Sequence, residues 1–183
     1  RPGADNLVVI DDSVARGNTI RNAILPILDR LGPRFDSVAS AAPPLCYPDC
    51  YGIDMASFEQ LVAFQAVVSL LRQTGDTALL EDRATRAGAD LARPDAEMRN
   101  RVQPLYARFP FETLCAEIGR LLKPEGLAAE FAIVFQTCEK LADCIPGHTG
   151  DWYFTGNYPT PGGTRVVNRA LVNFMEKISD RAY

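Results

Sequence analysis

The N-terminal region combines a short apolar run with a stretch of helical periodicity. Leu7-Val8-Val9-Ile10 is typical of a strand buried on both faces of a parallel sheet. A polar loop over residues 11–18 follows it. From Thr19 onward, apolar residues recur at spacings of four and three, which predicts a helix whose apolar face consists of Ile20, Ile24, Leu28 and Leu31.

The end of this helix and the next strand are also predicted by the sequence. Gly32-Pro33 is a typical helix end. Pro26 lies inside the helix, where proline is expected to bend it or to cost about 3 kcal/mol. Residues 35–39 predict a second strand. A strand, a helix and a strand in this order form one βαβ unit, so we expect the two strands to be parallel neighbours.

The rest of the chain changes character. Residues 40–56 are rich in proline, tyrosine and cysteine and predict a loop, and residues 146–163 form a segment rich in glycine, proline and aromatic residues. Ser57 with Gln60 resembles a capping box at a helix start. Apolar periodicity predicts helices over residues 57–73, 76–92, 95–108, 111–122, 127–143 and 165–178. We therefore predict an α/β fold with a partial parallel sheet over residues 1–56 and a mostly helical C-terminal region over residues 57–183.

Composition narrows the possible functions. The 183 residues are 47% hydrophobic and 23% charged, a globular balance, and the net charge of −4 argues against a nucleic-acid partner. The sequence contains no apolar run near the roughly 18 residues of a membrane span, and its start resembles no signal peptide. Five cysteines form no regular framework. We therefore expect reduced thiols, no membrane association and a cytoplasmic protein.

The candidate chemistry lies directly after the first strand. Asp11 and Asp12 end the strand, and a loop of small residues leads into the helix. Ligands of open α/β sheets bind at the carboxyl ends of strands, and a helix start favours a phosphate. Two adjacent carboxylates suit sugar hydroxyls or Mg²⁺ instead. The pattern predicts a sugar-phosphate site, although an isolated Asp-Asp pair is equally consistent with another kind of Mg²⁺ site or a solvated polar turn.

The complete segment resembles a known motif. Asp11-Asp12-Ser13-Val14-Ala15-Arg16-Gly17-Asn18-Thr19 resembles the phosphoribosyl-pyrophosphate (PRPP) motif of type I phosphoribosyltransferases, in the version used by amidophosphoribosyltransferases. Ser40-Ala41-Ala42-Pro43-Pro44, Tyr47-Pro48, and Tyr51-Gly52-Ile53-Asp54-Met55 are similar to the segments that follow in that family. Residues 150–163 are similar to its C-terminal stretch. The resemblance covers residues 7–55 and 150–174.

The resemblance implies a site and a reaction. Asp11 and Asp12 would hold the PRPP ribose and Mg²⁺, and Ser13, Val14, Ala15, Arg16, Gly17, Asn18 and Thr19 would cradle the 5′-phosphate. The family transfers ammonia derived from glutamine to PRPP, which gives 5-phosphoribosylamine in the first step of purine synthesis. Such enzymes commonly bind feedback purine nucleotides. Separately from the resemblance, an exposed sheet edge and unpaired helix faces lead us to expect a homo-oligomer.

The same resemblance indicates what this chain would lack. No cysteine lies at its start, so the glutaminase nucleophile and the earlier sheet strands would lie upstream of Arg1. We expect the chain alone not to catalyse the full reaction. Some family members carry an iron–sulfur cluster, but here only Cys50 lies near a cluster position, and residues 150–153 contain no sulfur. We therefore expect no cluster.

Other functions remain open at this point. Another type I phosphoribosyltransferase, such as a base-salvage enzyme, would use the same motif. A non-catalytic sensor of PRPP or nucleotides would also keep the loop, and an interaction domain could carry Asp11-Asp12 as a turn. His148 is expected to be a surface or packing residue. Trp152, Tyr153, Phe154 and Tyr158 are expected to anchor the C-terminal tail rather than to stack on a base.

Overall fold

The structure, a computed structural model, describes residues 2–50, 55, 57–180 and 182. Its sheet has three parallel strands in the order β1 (Asn6–Asp11), β2 (Phe35–Ser40) and β3 (Glu130–Phe135). β1 pairs with β2 from Asn6 opposite Phe35 to Asp11 opposite Ser40, and β2 pairs with β3 over the same residues. The predicted α/β fold with a parallel sheet and a helical C-terminal region is confirmed.

The described helices follow one another in chain order. A π-helical turn at Ile20–Ile24 leads into α1 (Leu25–Asp29), and a one-turn 3₁₀ helix at Phe58–Gln60 precedes the longer helices. These are α2 (Val62–Thr74), α3 (Thr77–Leu91), α4 (Gln103–Tyr106), α5 (Phe111–Leu122), α6 (Cys138–Cys144), α7 (Trp152–Thr155) and α8 (Pro161–Glu176), with a further 3₁₀ turn at Asp95–Glu97. None of the described helices is both long enough and apolar enough to cross a lipid bilayer.

The helices cover one face of the sheet. Val38 and Ile133 on that face are buried, and α5 packs on β3 while α2 packs on α5 and α3 packs on α8. The opposite face carries Val8, Ile10 and Val134, which are 64%, 79% and 58% exposed. Crossover connections between parallel strands are right-handed, so the order β1-β2-β3 places both connections on the same side of the sheet.

Pro26 lies where the π-helical turn gives way to the α-helix α1. The N–H of Leu25 donates to the carbonyl of Ile20, five residues back, as in a π-helix. Pro26 follows directly, at the start of α1, and as a proline it donates no helical hydrogen bond there. The predicted disruption therefore takes the form of a π-helical turn ahead of the proline.

The prediction of a helix over residues 127–143 is wrong. Residues 130–135 form β3, and only Cys138–Cys144 is helical. A short apolar run such as Phe131-Ala132-Ile133-Val134-Phe135 suits a buried helix or a buried strand equally well, and pairing with β2 decides in favour of the strand. The third strand thus comes from the part of the chain assigned to the helical region. The domain boundary near residue 56 stays a prediction.

Two smaller predictions also need correction. Residues 95–108 are not one helix: they contain the 3₁₀ turn at Asp95–Glu97 and the single turn α4, and the extended backbone at Met98 (ψ 132°) separates the two. The last helix, predicted over residues 165–178, is α8 and begins earlier, at Pro161, and the short helix α7 precedes it. The predictions for residues 76–92 and 111–122 are confirmed by α3 and α5.

Candidate functional site

The two acidic residues lie at the carboxyl end of β1. Asp11 is the last residue of the strand and is half-buried, whereas Asp12 is exposed. The Asp11 carboxylate accepts a hydrogen bond of 3.0 Å from the N–H of Asp12, and the Asp12 carboxylate accepts one of 2.7 Å from the N–H of Ser13. These short-range bonds turn the chain sharply at the sheet edge and keep both carboxylates beside the start of the loop.

Residues 13–19, the phosphate loop, connect β1 to the helix. Val14 and Ile20 are buried, so each end of the loop is fixed in the core. The chain turns helical at Asn18, and the carbonyl of Gly17 accepts the first helical hydrogen bond from the N–H of Arg21 at 2.9 Å. Gly17 has φ +73°, a left-handed conformation that favours glycine. The loop therefore ends on a helix start, where backbone N–H groups without helical partners can bind an anion.

A cavity of about 480 Å³ lies on this loop. All the predicted site residues except Asp12 line it, and Ile20, Leu45 and Met55 complete the wall. Asp12 lies next to the lining residues Asp11 and Ser13. The structure thus brings the predicted residues to one place, while their role in binding stays a prediction.

Leu45 and Met55 are lining residues that the sequence analysis did not assign to the site. Both come from the segment after β2, and the carboxyl ends of neighbouring parallel strands lie at the same edge of a sheet. This rule would have pointed to the segment as a second wall of the site. Tyr51, Gly52, Ile53 and Asp54, on which part of the resemblance rests, lie outside the described residues.

The C-terminal tail holds the segment that forms this second wall. The N–H groups of Cys46 and Tyr47 donate to the carbonyl of Tyr153 at 2.9 and 3.1 Å. The Tyr153 hydroxyl donates to the Asp49 carboxylate at 2.9 Å, and the Tyr158 hydroxyl donates to the carbonyl of Pro48. Burial is the main reason that the pKa of Tyr153 rises to about 12. The expectation that these aromatic residues anchor the tail is confirmed for Tyr153 and Tyr158.

The cysteines and the single histidine lie elsewhere. All five cysteines are free thiols, and burial raises the pKa of the Cys46 thiol and brings that of Cys115 to about 11. His148 is exposed and lines a separate cavity of about 240 Å³ with Cys138 and Asp151. Among the described residues, no three or more His, Cys, Asp or Glu side chains are grouped so as to hold a metal ion. The expectation about an iron–sulfur cluster stays a prediction.

Comparison with curated proteins points to one family. The chain is 38% identical over 68 residues to the amidophosphoribosyltransferase of Escherichia coli (strain K12), which is 37% of this chain and 13% of that protein. It is 46% identical over 57 residues to that of Drosophila melanogaster (31% and 10%). It is 34% identical over 74 residues to that of Pyrococcus horikoshii (40% and 16%). The matched stretch thus covers only a tenth to a sixth of these relatives' length.

The other two comparisons give no match. No family model and no solved structure matches the chain. The resemblance expected from the sequence is confirmed by relatives from bacteria, a eukaryote and an archaeon, all of them named amidophosphoribosyltransferase.

Proposed function

We propose, from this similarity and from the geometry of the cavity, that the chain binds Mg-PRPP and serves phosphoribosyl transfer to ammonia. The observation that carries the proposal is that Asp11 and residues 13–19 line one cavity at the carboxyl end of β1. In the intact protein, ammonia released from glutamine would react with PRPP to give 5-phosphoribosylamine and pyrophosphate. A phosphoribosyltransferase of this kind uses the protein mainly for positioning and electrostatics.

Each part of the site has a role in this proposal. The N–H groups at the helix start, the hydroxyls of Ser13 and Thr19 and the Arg16 guanidinium would hold the 5′-phosphate. Asp11 and Asp12 would accept hydrogen bonds from the ribose hydroxyls. Their oxygens also suit Mg²⁺, which proteins commonly hold through one or two carboxylates together with substrate phosphates. The bound ion would neutralise charge on the pyrophosphate.

The transfer step places positive charge near these carboxylates. The nitrogen lone pair of ammonia forms the new bond to the sugar C1, the bond from C1 to the pyrophosphate oxygen breaks, and pyrophosphate leaves with that electron pair. The ammonium group formed at C1 then gives one proton to solvent water, which leaves the neutral amine. Positive charge develops on the sugar as the bond to pyrophosphate weakens, and the negative charges of Asp11 and Asp12 favour it.

Calorimetric titration of Mg-PRPP tests the binding part of this proposal. We expect magnesium-dependent binding to the wild-type chain and loss of that binding in the double variant Asp11→Asn, Asp12→Asn. The matched control is Glu139→Gln, Asp143→Asn, which removes the same charge from the exposed surface of α6. Equal binding by all three proteins would contradict the proposed roles of Asp11 and Asp12.

The reaction part requires the intact protein. With glutamine or ammonia as donor, we expect Mg-PRPP to be converted with release of one pyrophosphate per phosphoribosylamine formed. Binding of Mg-PRPP without any release of pyrophosphate would instead indicate a sensor that keeps the loop and lacks turnover.

A further inference from the structure

The phosphate loop is held by residues that lie far from it in the sequence. The carbonyl of Ala15, in the middle of the loop, accepts a hydrogen bond of 2.9 Å from the N–H of Val62. Val62 is the first residue of α2. The helical part of the chain therefore contacts the backbone of the loop directly.

A second contact lies beneath Gly17. A Cβ atom placed on Gly17 would collide with Cδ2 of Leu122, the last residue of α5. Leu122 is 2% exposed, and α5 packs against both α2 and β3. The Leu122 side chain thus fills the space under the loop at the point where its backbone takes the left-handed conformation.

A third contact reaches the one basic side chain of the loop. Nη2 of Arg16 donates to Oε1 of Gln60 at 2.9 Å. Gln60 ends the 3₁₀ turn Phe58–Gln60, and the side chains of Phe58 and Leu61 on either side of Glu59-Gln60 are completely buried. Ser57 Oγ accepts the N–H of Glu59, which closes the start of the turn. Gln60 therefore extends from a fixed position toward Arg16.

We propose that Leu122 and Gln60 are positioning residues for the phosphate loop: Leu122 fixes the backbone at Gly17, and Gln60 orients the Arg16 guanidinium at the cavity. The proposal rests on the proposed function of the loop as a phosphate site. A loop whose N–H groups already point at the ligand binds more tightly than one that must be ordered first, because only the competent fraction of molecules binds. The helical region then determines the affinity of a site that it does not itself form.

The test for Leu122 compares two Leu→Ala variants on the same helix. Leu122→Ala and Leu114→Ala both remove a buried side chain from α5, but only Leu122 lies under the loop. We expect Leu122→Ala to weaken binding of Mg-PRPP about tenfold, as when the loop holds its binding conformation a tenth of the time. Leu114→Ala should change the Kd less than about twofold, and Leu122→Met, which conserves volume, should restore wild-type affinity.

Hydrogen exchange gives a second readout that needs no ligand. We expect the amides of residues 13–19 to exchange faster in Leu122→Ala than in the wild type, at a concentration of denaturant where both are folded. In Leu114→Ala the same amides should exchange at the wild-type rate. Equal exchange in the loop of all three proteins would overturn the role of Leu122.

The test for Gln60 is a double-mutant cycle with Arg16. If Gln60 acts by orienting Arg16, Gln60→Ala weakens binding of Mg-PRPP about threefold in the wild-type background, the size expected for one exposed hydrogen bond. In the Arg16→Ala background the same substitution should have no effect. An equal effect in both backgrounds would overturn this role.

The outcomes separate this proposal from the proposed function. If the wild-type chain binds Mg-PRPP and the two Leu→Ala variants lose affinity equally, the role of Leu122 falls and the binding site stands. If the wild-type chain does not bind Mg-PRPP, the binding function falls, and unchanged loop exchange in Leu122→Ala would overturn the positioning role as well. Faster exchange confined to Leu122→Ala would support it.

Discussion

Gly17 is the residue on which the geometry of the site depends most. Its φ of +73° is costly for any residue with a side chain, and a Cβ there would collide with Leu122. Backbone N–H groups can approach an anion closely only where no side chain intervenes. Both the backbone conformation of Gly17 and its contact with Leu122 therefore exclude a side chain at this position.

A pair of Gly→Ala variants separates these two constraints. Gly75 also has a positive φ, +76°, but a Cβ on it would meet nothing within 4 Å. We expect both Gly17→Ala and Gly75→Ala to lower the free energy of unfolding by about 1 kcal/mol or more, from backbone strain. Only Gly17→Ala should lose binding of Mg-PRPP. Calorimetric titration with thermal denaturation checks this, and loss of binding in Gly75→Ala would contradict it.

The burial of Asp36 leads us to expect that the free energy of unfolding depends on pH. Its side chain is fully buried, and neither carboxylate oxygen has a hydrogen-bond partner among the residues that the structure describes. Burial, and then the nearby charge of Asp29, raise its pKa above the ordinary value of 3.8. The folded state therefore holds the proton at pH values where the unfolded state has lost it.

The sign of this effect follows from the raised pKa. Stability from Asp36 is fully present below its unfolded pKa and is lost as the pH rises through its higher folded pKa. We expect Asp36→Asn to remove this loss, so that the free energy of unfolding of the variant rises relative to that of the wild type as the pH is raised from acidic to neutral. Urea denaturation at several pH values measures it. If the difference in free energy of unfolding between the wild type and Asp36→Asn stayed constant across the acidic pH range, the raised pKa of Asp36 would be refuted.

The site illustrates what the sequence can predict at the residue scale. The grouping of Asp11 and residues 13–19 around one cavity was predictable because a motif of adjacent residues carries its own local geometry. The Arg16–Gln60 hydrogen bond joins residues 44 positions apart, and the Leu122 contact arises only when α5 packs on the sheet. No local pattern encodes such contacts, so Gln60 and Leu122 could be found only in the folded structure.

For the helices and strands, the observed bounds match the predicted ones where the apolar residues recur with a clear period. α5 has a strong apolar face, and its predicted bounds, residues 111–122, are those observed. β1 was predicted over residues 7–10 and extends one residue further at each end. β3 was missed because its five-residue apolar run has no period that separates strand from helix, and its identity is set by pairing with β2.

An ion pair at the end of α3 stabilises the packing of α3 and the following segment against α8. The Asp90 side chain is 2% exposed and accepts a hydrogen bond of 2.6 Å from Nε of Arg101. This hydrogen bond lowers the pKa of Asp90, and Arg93 adds to the effect. The N–H of Arg101 in turn donates to Asn168 of α8 at 3.1 Å. The pair thus ties α3 to the segment that packs on α8.

Two Asp→Asn variants on α3 compare this buried pair with an exposed one. We expect Asp90→Asn to lower the free energy of unfolding by about 2 kcal/mol or more, because the buried Arg101 contact loses its charge partner. Asp82, which is 41% exposed, pairs with Arg86 on the surface of the same helix. Asp82→Asn should cost less than about 0.5 kcal/mol. Equal costs in urea denaturation would contradict the account.

At the scale of the whole molecule, one face of the sheet stands out. Parallel sheets are normally covered on both faces, yet Val8, Ile10 and Val134 lie exposed on the face that the described helices leave open. β1 is also an edge strand, paired on one side only among the described strands. Exposed apolar faces and open edges favour association. We therefore propose that copies of this chain associate through this face.

Charged substitutions on the open face test that proposal. We expect Val8→Lys with Ile10→Lys to lower the apparent mass in light scattering toward that of one chain, because association through this face would then bury two charges. The control is Ile178→Lys, since Ile178 is 42% exposed and follows α8, away from the sheet. An unchanged mass in the double variant would show that association does not use this face.

The proposed function depends on binding of the sugar phosphate in the cavity on residues 13–19. A chain of 20.1 kDa is suited to NMR, and the most direct measurement is a backbone amide titration with Mg-PRPP. We predict that the largest shift changes fall on the amides of residues 13–19, with Gly17, Asn18 and Thr19 foremost. Changes centred on the separate cavity around Cys138 and His148, or no saturable change at all, would contradict the claim.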